Sequence, residues 1–283
     1  MKILITGSNG FVGRNLEAYF ATGPHELHCP KRQELNLLDC NAVWEYVTRG
    51  AFDVVIHCGV TLSSVEENLK MYFHLERCNG SFGKLFCVGS GAEYDRTHYR
   101  PRMKEDYFGV HIPQDMYGFS KYVIAKDIES RHRNIYNLRV FGIYGKYEDF
   151  KRRFISNNIY RLLCDMDISI NRNVYFDYLY VSDFCRIVEM LLDKAPKHRS
   201  YNVCNGTPVD LLTLAEIIRN VDGREKPITV KEDGLGPEYT GNNFLLLNEF
   251  GPFSFTPHEI AVKEMYHWYR DEGEIKIDPT LLE

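Results

Sequence analysis

Strands and helices alternate through the first half of the sequence, and that alternation predicts an α/β fold: a doubly wound parallel sheet with a small discontinuous C-terminal lobe. Three observations carry the prediction. Short, continuous apolar runs such as "KILIT" and "DVVIHCG" suit strands covered on both faces. A glycine-rich turn, "GSNGFVG" (Gly7 to Gly13), follows the first run and opens a helix. Beyond about residue 145 the order weakens, and Gly223 to Pro257 is rich in Gly, Pro and Asn without a clear period.

Each element has its own signal. "KILIT" ends in glycine, as a buried strand does, and Phe11, Leu16, Tyr19 and Phe20 then fall at roughly helical spacing. "HELHC" is a weak second strand. Asn41 to Gly50 forms a helix closed by glycine, Asp53 to Gly59 a third strand, and Glu66 to Cys78 a helix. "KLFCVGS" (Lys84 to Ser90) is a buried strand, Tyr117 to Arg131 a long helix, and Ile135 to Gly145 contains another strand. Val174 to Val181 and Ser200 to Cys204 resemble strands returning to the sheet or its rim. Gly223 to Pro257 is expected as loops and short strands of the lobe. Thr256 to Arg270 closes with a helix, Thr256 as its cap and Pro257 in its first turn. The expected division is 1–150 as the nucleotide-binding domain, completed by about 174–205, with 151–173 and 206–283 as the substrate-binding lobe.

The chain has 283 residues, 44% hydrophobic and 26% charged, with a formal net charge of −5. Bulk charge therefore offers nothing to a polyanion, which argues against a nucleic-acid partner. No apolar run approaches the ~18 residues needed to span a membrane, and "MKILITG" enters a strand-like run without the pattern of a secretory leader. The eight cysteines form no C-x-x-C pair, and several lie inside apolar runs. Reduced, buried thiols, no metal and a cytoplasmic location are the expectation.

Gly7, Gly10 and Gly13, with Asn9, Phe11 and Val12 between them, form a pyrophosphate cradle of the Rossmann kind. Phosphate placed there meets free backbone N–H groups and the positive end of the helix dipole. The spacing is G-x-x-G-x-x-G, not the usual G-x-G-x-x-G. After the second strand, an acidic residue would hold the ribose hydroxyl of NAD. "HCPKRQELNLLD" offers Lys31 and Arg32 near that place instead. Two cations suit a 2′-phosphate, so NADPH is expected over NADH.

"MYGFSK" places Tyr117 and Lys121 four residues apart, on one helix face. An ammonium beside a phenol favours the phenolate. A tyrosine so placed can pass a proton to a carbonyl oxygen near neutral pH, and the lysine can also bond the nicotinamide ribose. Ser90 ends a strand at the edge of the sheet where ligands bind, and its hydroxyl can orient the reacting oxygen. Alone, Y-x-x-x-K is common. With the strand-end serine and the glycine loop it becomes a cofactor-and-catalysis unit.

With "TGSNGFVG", "GSGAEYD", "YGFSK" and "FDYLYVSDF" (Phe176 to Phe184), nearly the whole chain resembles the extended short-chain dehydrogenases/reductases of the nucleotide-sugar type. "KRQELNLLD" is particularly similar to the GDP-fucose synthases, which use NADPH. The resemblance implies Ser90, Tyr117 and Lys121 as the catalytic triad. It implies Asn36 and Leu37 at the adenine, Cys58 and Gly59 beside the cofactor, and Asn68 in the helix before the catalytic strand. Gly91, Ala92 and Glu93 would border the substrate, as would the loop carrying His98, His111, Gln114 and Asp115. Departures narrow the chemistry. The epimerising cysteine of GDP-fucose synthases is replaced by Ala92, and its histidine partner has no match. The Asp-Glu pair of dehydratases is replaced by Gly91 and Ala92, with Glu93 one position late. The usual substrate asparagine and arginine are Gly142 and Phe176, so Lys146, Arg152 or Arg153 would hold the substrate diphosphate. A homodimer is carried over from the family.

These departures leave plain ketone reduction. The expected function is NADPH-dependent reduction of the C4 ketone of a nucleotide-linked 4-keto-6-deoxy sugar, for deoxysugar and cell-surface glycan synthesis. A nucleotide-sugar 4-epimerase with tightly bound NAD is the first alternative. A non-catalytic NADP-sensing regulator is the second.

Overall fold

The computed structural model describes residues 1–131, 134–272 and 278–282. In chain order the strands are β1 (Lys2–Thr6), β2 (Glu26–His28), β3 (Val54–His57), β4 (Lys84–Ser90), β5 (Ile135–Val140), β6 (Ile143–Tyr144), β7 (Ile168–Asn173), β8 (Tyr175–Phe176), β9 (Leu179–Tyr180), β10 (Ser200–Val203), β11 (Val209–Asp210) and β12 (Ile228–Leu235). The helices are α1 (Phe11–Phe20), α2 (Cys40–Gly50), α3 (Val65–Glu76), α4 (Met116–Arg131), α5 (Phe154–Leu163), α6 (Val181–Leu192), α7 (Leu211–Asp222), α8 (Phe244–Phe250) and α9 (His258–His267). None of the described helices is long and apolar enough to cross a membrane.

Six strands form one parallel sheet in the order β10-β5-β4-β3-β1-β2. The order reverses between β1 and β3, which opens a crevice at their carboxyl ends. Leu16, Phe20, Ile187 and Leu191, from α1 and α6, cover one face of the sheet. Val43, Val47, Tyr72, Leu75, Ile124 and Ile128, from α2, α3 and α4, cover the other. Both faces are thus dry, which is why β3 is an unbroken "VVIH". Helix starts follow local chemistry: Asp39 accepts the N–H groups of Asn41 and Ala42 at 3.0 Å, and Ser64 accepts that of Glu67 at 3.1 Å.

A second core gathers α5, α7 and α9 with Tyr144, Phe150, Tyr178 and Tyr180. Here β7 pairs with β12 and β8 with β11. Three expectations change. First, β10 joins the sheet beside β5, but the "FDYLYV" segment does not: β8 and β9 pair with β11 and β6 outside it. Asp177, between them, is fully buried and needs N–H donors that a sheet interior has already committed. It takes the Gly206 N–H at 3.1 Å. Second, Gly223 to Pro257 holds an eight-residue strand and a helix. β12 is a mostly exposed strand without an apolar period, and α8 is too short to show one. Leu246 of α8 packs into the sheet core, so α8, unlike β12, does not pack with the lobe. Residues 273–277 and 283 of that range lie outside the described residues. Third, Thr256 does not cap α9. Its N–H and hydroxyl both go to the buried Asp183 carboxylate, at 2.8 and 2.9 Å, and Pro257 takes the cap position.

Candidate active site

The first half of the site lies in the crevice. Gly7 has φ +72°, and a Cβ there would come within 2.5 Å of the Gly59 nitrogen, so the turns after β1 and β3 are pressed together. A Cβ on Gly13 would meet the Gly7 carbonyl at 2.3 Å, whereas Gly10 has more room. Below the loop, Thr6 Oγ1 and His57 Nδ1 are 2.8 Å apart, and the Cys58 N–H donates to the Thr6 carbonyl at 3.0 Å. Burial, and then the Lys121 charge, push His57 down to about 3, so this imidazole is neutral. No side chain caps α1. Its first turn therefore keeps N–H groups for an anion, and a pyrophosphate fits there. Asn9 and Gly10 form the exposed tip, while Phe11 packs toward the lobe core and Val12 toward the sheet core.

The adenosine end is assembled as well. Lys31 and Arg32 follow β2. Lys31 Nζ lies 3.4 Å from Glu17, and Arg32 is exposed. Asn36 caps its own turn by accepting the Leu38 N–H at 3.1 Å, and Leu37 lies against Gly59. Asn68 is buried and spent: its amide binds the Thr61 N–H and carbonyl at 2.8 Å and the Ser120 hydroxyl at 3.0 Å. It holds the loop after β3, so any effect on a cofactor passes through that loop.

The catalytic half lies one strand over. Ser90, at the end of β4, caps the short 3-10 turn Gly91–Glu93 by accepting the Ala92 N–H at 3.1 Å. Helix α4 starts against that turn, so closely that a Cβ on Gly118 would meet the Ala92 carbonyl at 2.6 Å. Asp115 fixes the start, accepting the Gly118 N–H on its side chain and the Phe119 N–H on its carbonyl, both at 2.8 Å. It serves as a cap, which accounts for an acidic residue on that loop without a substrate. Tyr117 is half-buried. The buried Lys121 donates to the Val88 carbonyl at 2.7 Å, with its ammonium 6.0 Å from the centre of the Tyr117 ring. Ser90 thus lies at the carboxyl end of β4, and Tyr117 and Lys121 lie in the first turns of α4, whose start packs against the turn that Ser90 caps.

Glu93 departs from the expectation that it borders a substrate. It is 1% exposed and lies beneath the site. One oxygen accepts the Ser90 N–H at 2.9 Å; the other accepts Asn137 at 2.8 Å and the Arg139 guanidinium at 2.6 Å. Arg139 is itself fully buried and reaches the Tyr94 hydroxyl at 3.0 Å. A buried cation demands a carboxylate, and position 93 supplies it. Of the proposed diphosphate ligands, the Lys146 carbonyl accepts Asn15 of α1 at 2.8 Å, which places this residue beside the glycine-loop helix. Arg152 and Arg153 are exposed at the start of α5, and the Arg153 charge acts on the buried Glu148.

Two aromatic residues at the site escaped the sequence. The Tyr99 hydroxyl donates to the Gly91 carbonyl at 3.1 Å. Tyr239 comes from the Pro/Gly-rich "GPEYTG" and lies over Gly91. Neither has a spacing signal, because each arrives from a loop.

A family model described as the NAD dependent epimerase/dehydratase family matches residues 3–204. The chain is 22% identical over 293 residues to the GDP-6-deoxy-D-talose 4-dehydrogenase of Aggregatibacter actinomycetemcomitans, covering 94% of this chain and 97% of that protein. Among solved structures, a GDP-L-fucose synthetase from Naegleria fowleri bound to NADP is similar with a TM-score of 0.84 at 15% identity, covering 98% of this chain and 95% of that one. A UDP-glucose 4-epimerase from Thermotoga maritima has a TM-score of 0.81 at 18% identity, covering 97% and 100%.

Proposed function

The chain belongs to the NAD dependent epimerase/dehydratase family, and we propose that within it the protein is an NADPH-dependent reductase of the C4 ketone of a nucleotide-linked 4-keto-6-deoxy sugar. The observation that supports this reading is the packing of α4, which carries Tyr117 and Lys121, against the turn capped by Ser90, in a sheet whose switch point holds an uncapped, glycine-lined helix N-terminus. NADPH, when bound, supplies the hydride. Ser90 hydrogen-bonds the ketone oxygen, and Tyr117 delivers the proton that turns the forming alkoxide into a hydroxyl. Lys121 places a positive charge beside that phenol. The first turn of α1 holds the pyrophosphate, and Arg32 meets the 2′-phosphate.

Reduction is favoured over an epimerisation that deprotonates carbon, because Ala92 stands where a thiol would be required. Gly91 is met by the Tyr99 and Tyr239 hydroxyls. A GDP-sugar 4-dehydrogenase name on a full-length relative also supports chemistry at C4.

The test is to follow NADPH oxidation with GDP-, CDP-, dTDP- and UDP-4-keto-6-deoxy sugars. One sugar is expected to be reduced, with Tyr117→Phe lowering kcat about 100- to 10,000-fold while still binding NADPH. No oxidation with any of them, together with NAD(H) released on denaturation, would replace the reductase by a 4-epimerase that keeps its cofactor.

A further inference from the structure

Beneath Ser90 lies a polar network closed off from water. Glu93, Asn137, Arg139 and Asn202 are each no more than 1% exposed. The sequence makes room for it. A Cβ on Gly89 would come within 2.4 Å of Glu93 Oε1 and 2.1 Å of Asn137 Oδ1, so the glycine before Ser90 admits the carboxylate under the strand end. Arg139 directs Nε at Glu93 and Nη1 at the Tyr94 hydroxyl, and its guanidinium lies 4.6 Å from the centre of the Phe108 ring. Asn202 carries the network outward. Its Oδ1 accepts the Tyr94 hydroxyl at 2.9 Å, its Nδ2 donates to the Met103 carbonyl at 2.9 Å, and its N–H donates to Glu105 at 2.8 Å. The end of β4 and the loop that leads from it to α4 thus share one buried support.

A buried ion pair seldom stabilises a fold more than two apolar side chains of the same size, because both charges lose their hydration. What the pair does supply here is direction. One Glu93 oxygen accepts the Ser90 N–H at 2.9 Å, while Ser90 Oγ accepts the Ala92 N–H at 3.1 Å. The serine is therefore held at its backbone and at one lone pair of its hydroxyl, and its proton stays available for another group. We propose that Glu93 is a positioning residue: held from below by Arg139 and Asn137, its carboxylate pins the Ser90 N–H and so sets where the Ser90 hydroxyl meets the sugar carbonyl oxygen. Arg139 acts one step further back, since it fixes the oxygen of Glu93 that it shares with Asn137. The proposal rests on the reductase reading for the identity of the sugar oxygen, and on the hydrogen bonds for the pinning.

The test compares two double variants on the sugar that is reduced. Glu93→Leu with Arg139→Met replaces the pair by apolar side chains of similar size and removes the acceptor of the Ser90 N–H. Glu93→Gln with Arg139→Met removes the same charges but keeps an oxygen for that N–H. Tyr94 retains its bond to Asn202 in both. The leucine variant is expected to lower kcat about tenfold or more, the size of one lost hydrogen bond. Its NADPH affinity and its KM for the sugar are expected within about twofold of wild type. The glutamine variant is expected to restore kcat to within about threefold. Wild-type kcat in the leucine variant, equal losses in both, or a loss shared by NADPH affinity overturns the proposal. The sugar-free protein gives a measure that needs neither turnover nor the leucine variant. A bond to a carboxylate is stronger than one to an amide, so the Ser90 amide proton is expected far downfield and slow to exchange in NMR spectra of the wild type, and to move upfield in the glutamine variant. An unmoved resonance overturns the pinning. A resonance that moves in a protein reducing none of the sugars leaves the pinning standing and removes the reductase reading alone.

Discussion

At the scale of single residues, charge and burial make separable predictions. Arg32 is the exposed cation after β2. Arg32→Ala is expected to weaken NADPH binding about tenfold to a hundredfold, the worth of a charged hydrogen bond, and to leave NADH binding unchanged. Fluorescence titration with both nucleotides checks this, and equal losses would remove Arg32 from the 2′-phosphate. Glu148 is different in kind. Burial pushes its carboxyl up from 4.5 to about 8, and one oxygen has no hydrogen-bond partner. The folded protein therefore keeps a proton that the unfolded chain releases above its ordinary value. Stability should fall as pH rises from about 4.5 to 8, by about 1.4 kcal/mol per unit, and level off above. Glu148→Gln abolishes that slope, so urea unfolding at pH 5 and pH 8 should diverge between variant and wild type. Parallel pH profiles would show that Glu148 ionises normally. The places of Ser90 at a strand end and of Tyr117 and Lys121 on one helix were legible because an apolar run and helical spacing show in the sequence. Tyr239 was not, because a loop residue acquires its place only from the packing of Phe141, Phe176 and Tyr99 around it.

At the scale of elements, the critical one is the end of β4. Its bounds could be read from the sequence, Lys84 to Ser90, because a strand buried on both faces is a plain apolar run. What holds that end could not be read: Glu93 lies three residues past the strand and its partner Arg139 lies in β5, 46 positions away in sequence. Glu93→Ala leaves a fully buried guanidinium without its hydrogen-bonded carboxylate, with only Glu129 3.6 Å away. It should cost about 3–5 kcal/mol by denaturant unfolding, whereas a surface pair such as Glu45–Arg49 should cost under ~1 kcal/mol. A loss of that smaller size for Glu93→Ala would show that water reaches Arg139. The lobe elements were harder for a related reason. β8 and β9 are two residues each, too short for a period, and their placement depends on Asp177 finding the Gly206 N–H.

At the scale of the molecule, a strand order that reverses between β1 and β3 puts the Gly7 turn at a crevice on the carboxyl edge of the sheet, the edge at which β4 ends in Ser90. A ligand that binds only the folded chain stabilises it as a whole. NADPH at a hundred times its dissociation constant should add about 2.7 kcal/mol, and NADH at the same concentration less. Thermal unfolding with each nucleotide checks this, and a larger shift with NADH would reverse the cofactor preference. The Glu93–Arg139 pair adds a consequence for ionic strength. Counterions screen exposed charges beyond about 10 Å at 0.1 M salt but do not enter a dry core. The strand end carrying Ser90 is therefore indifferent to salt, while Arg32 and the other rim cations are not. Added salt should raise KM for charged ligands and leave kcat where it was, so titration with a neutral electrolyte separates the grip on the nucleotide from the chemistry at the sugar.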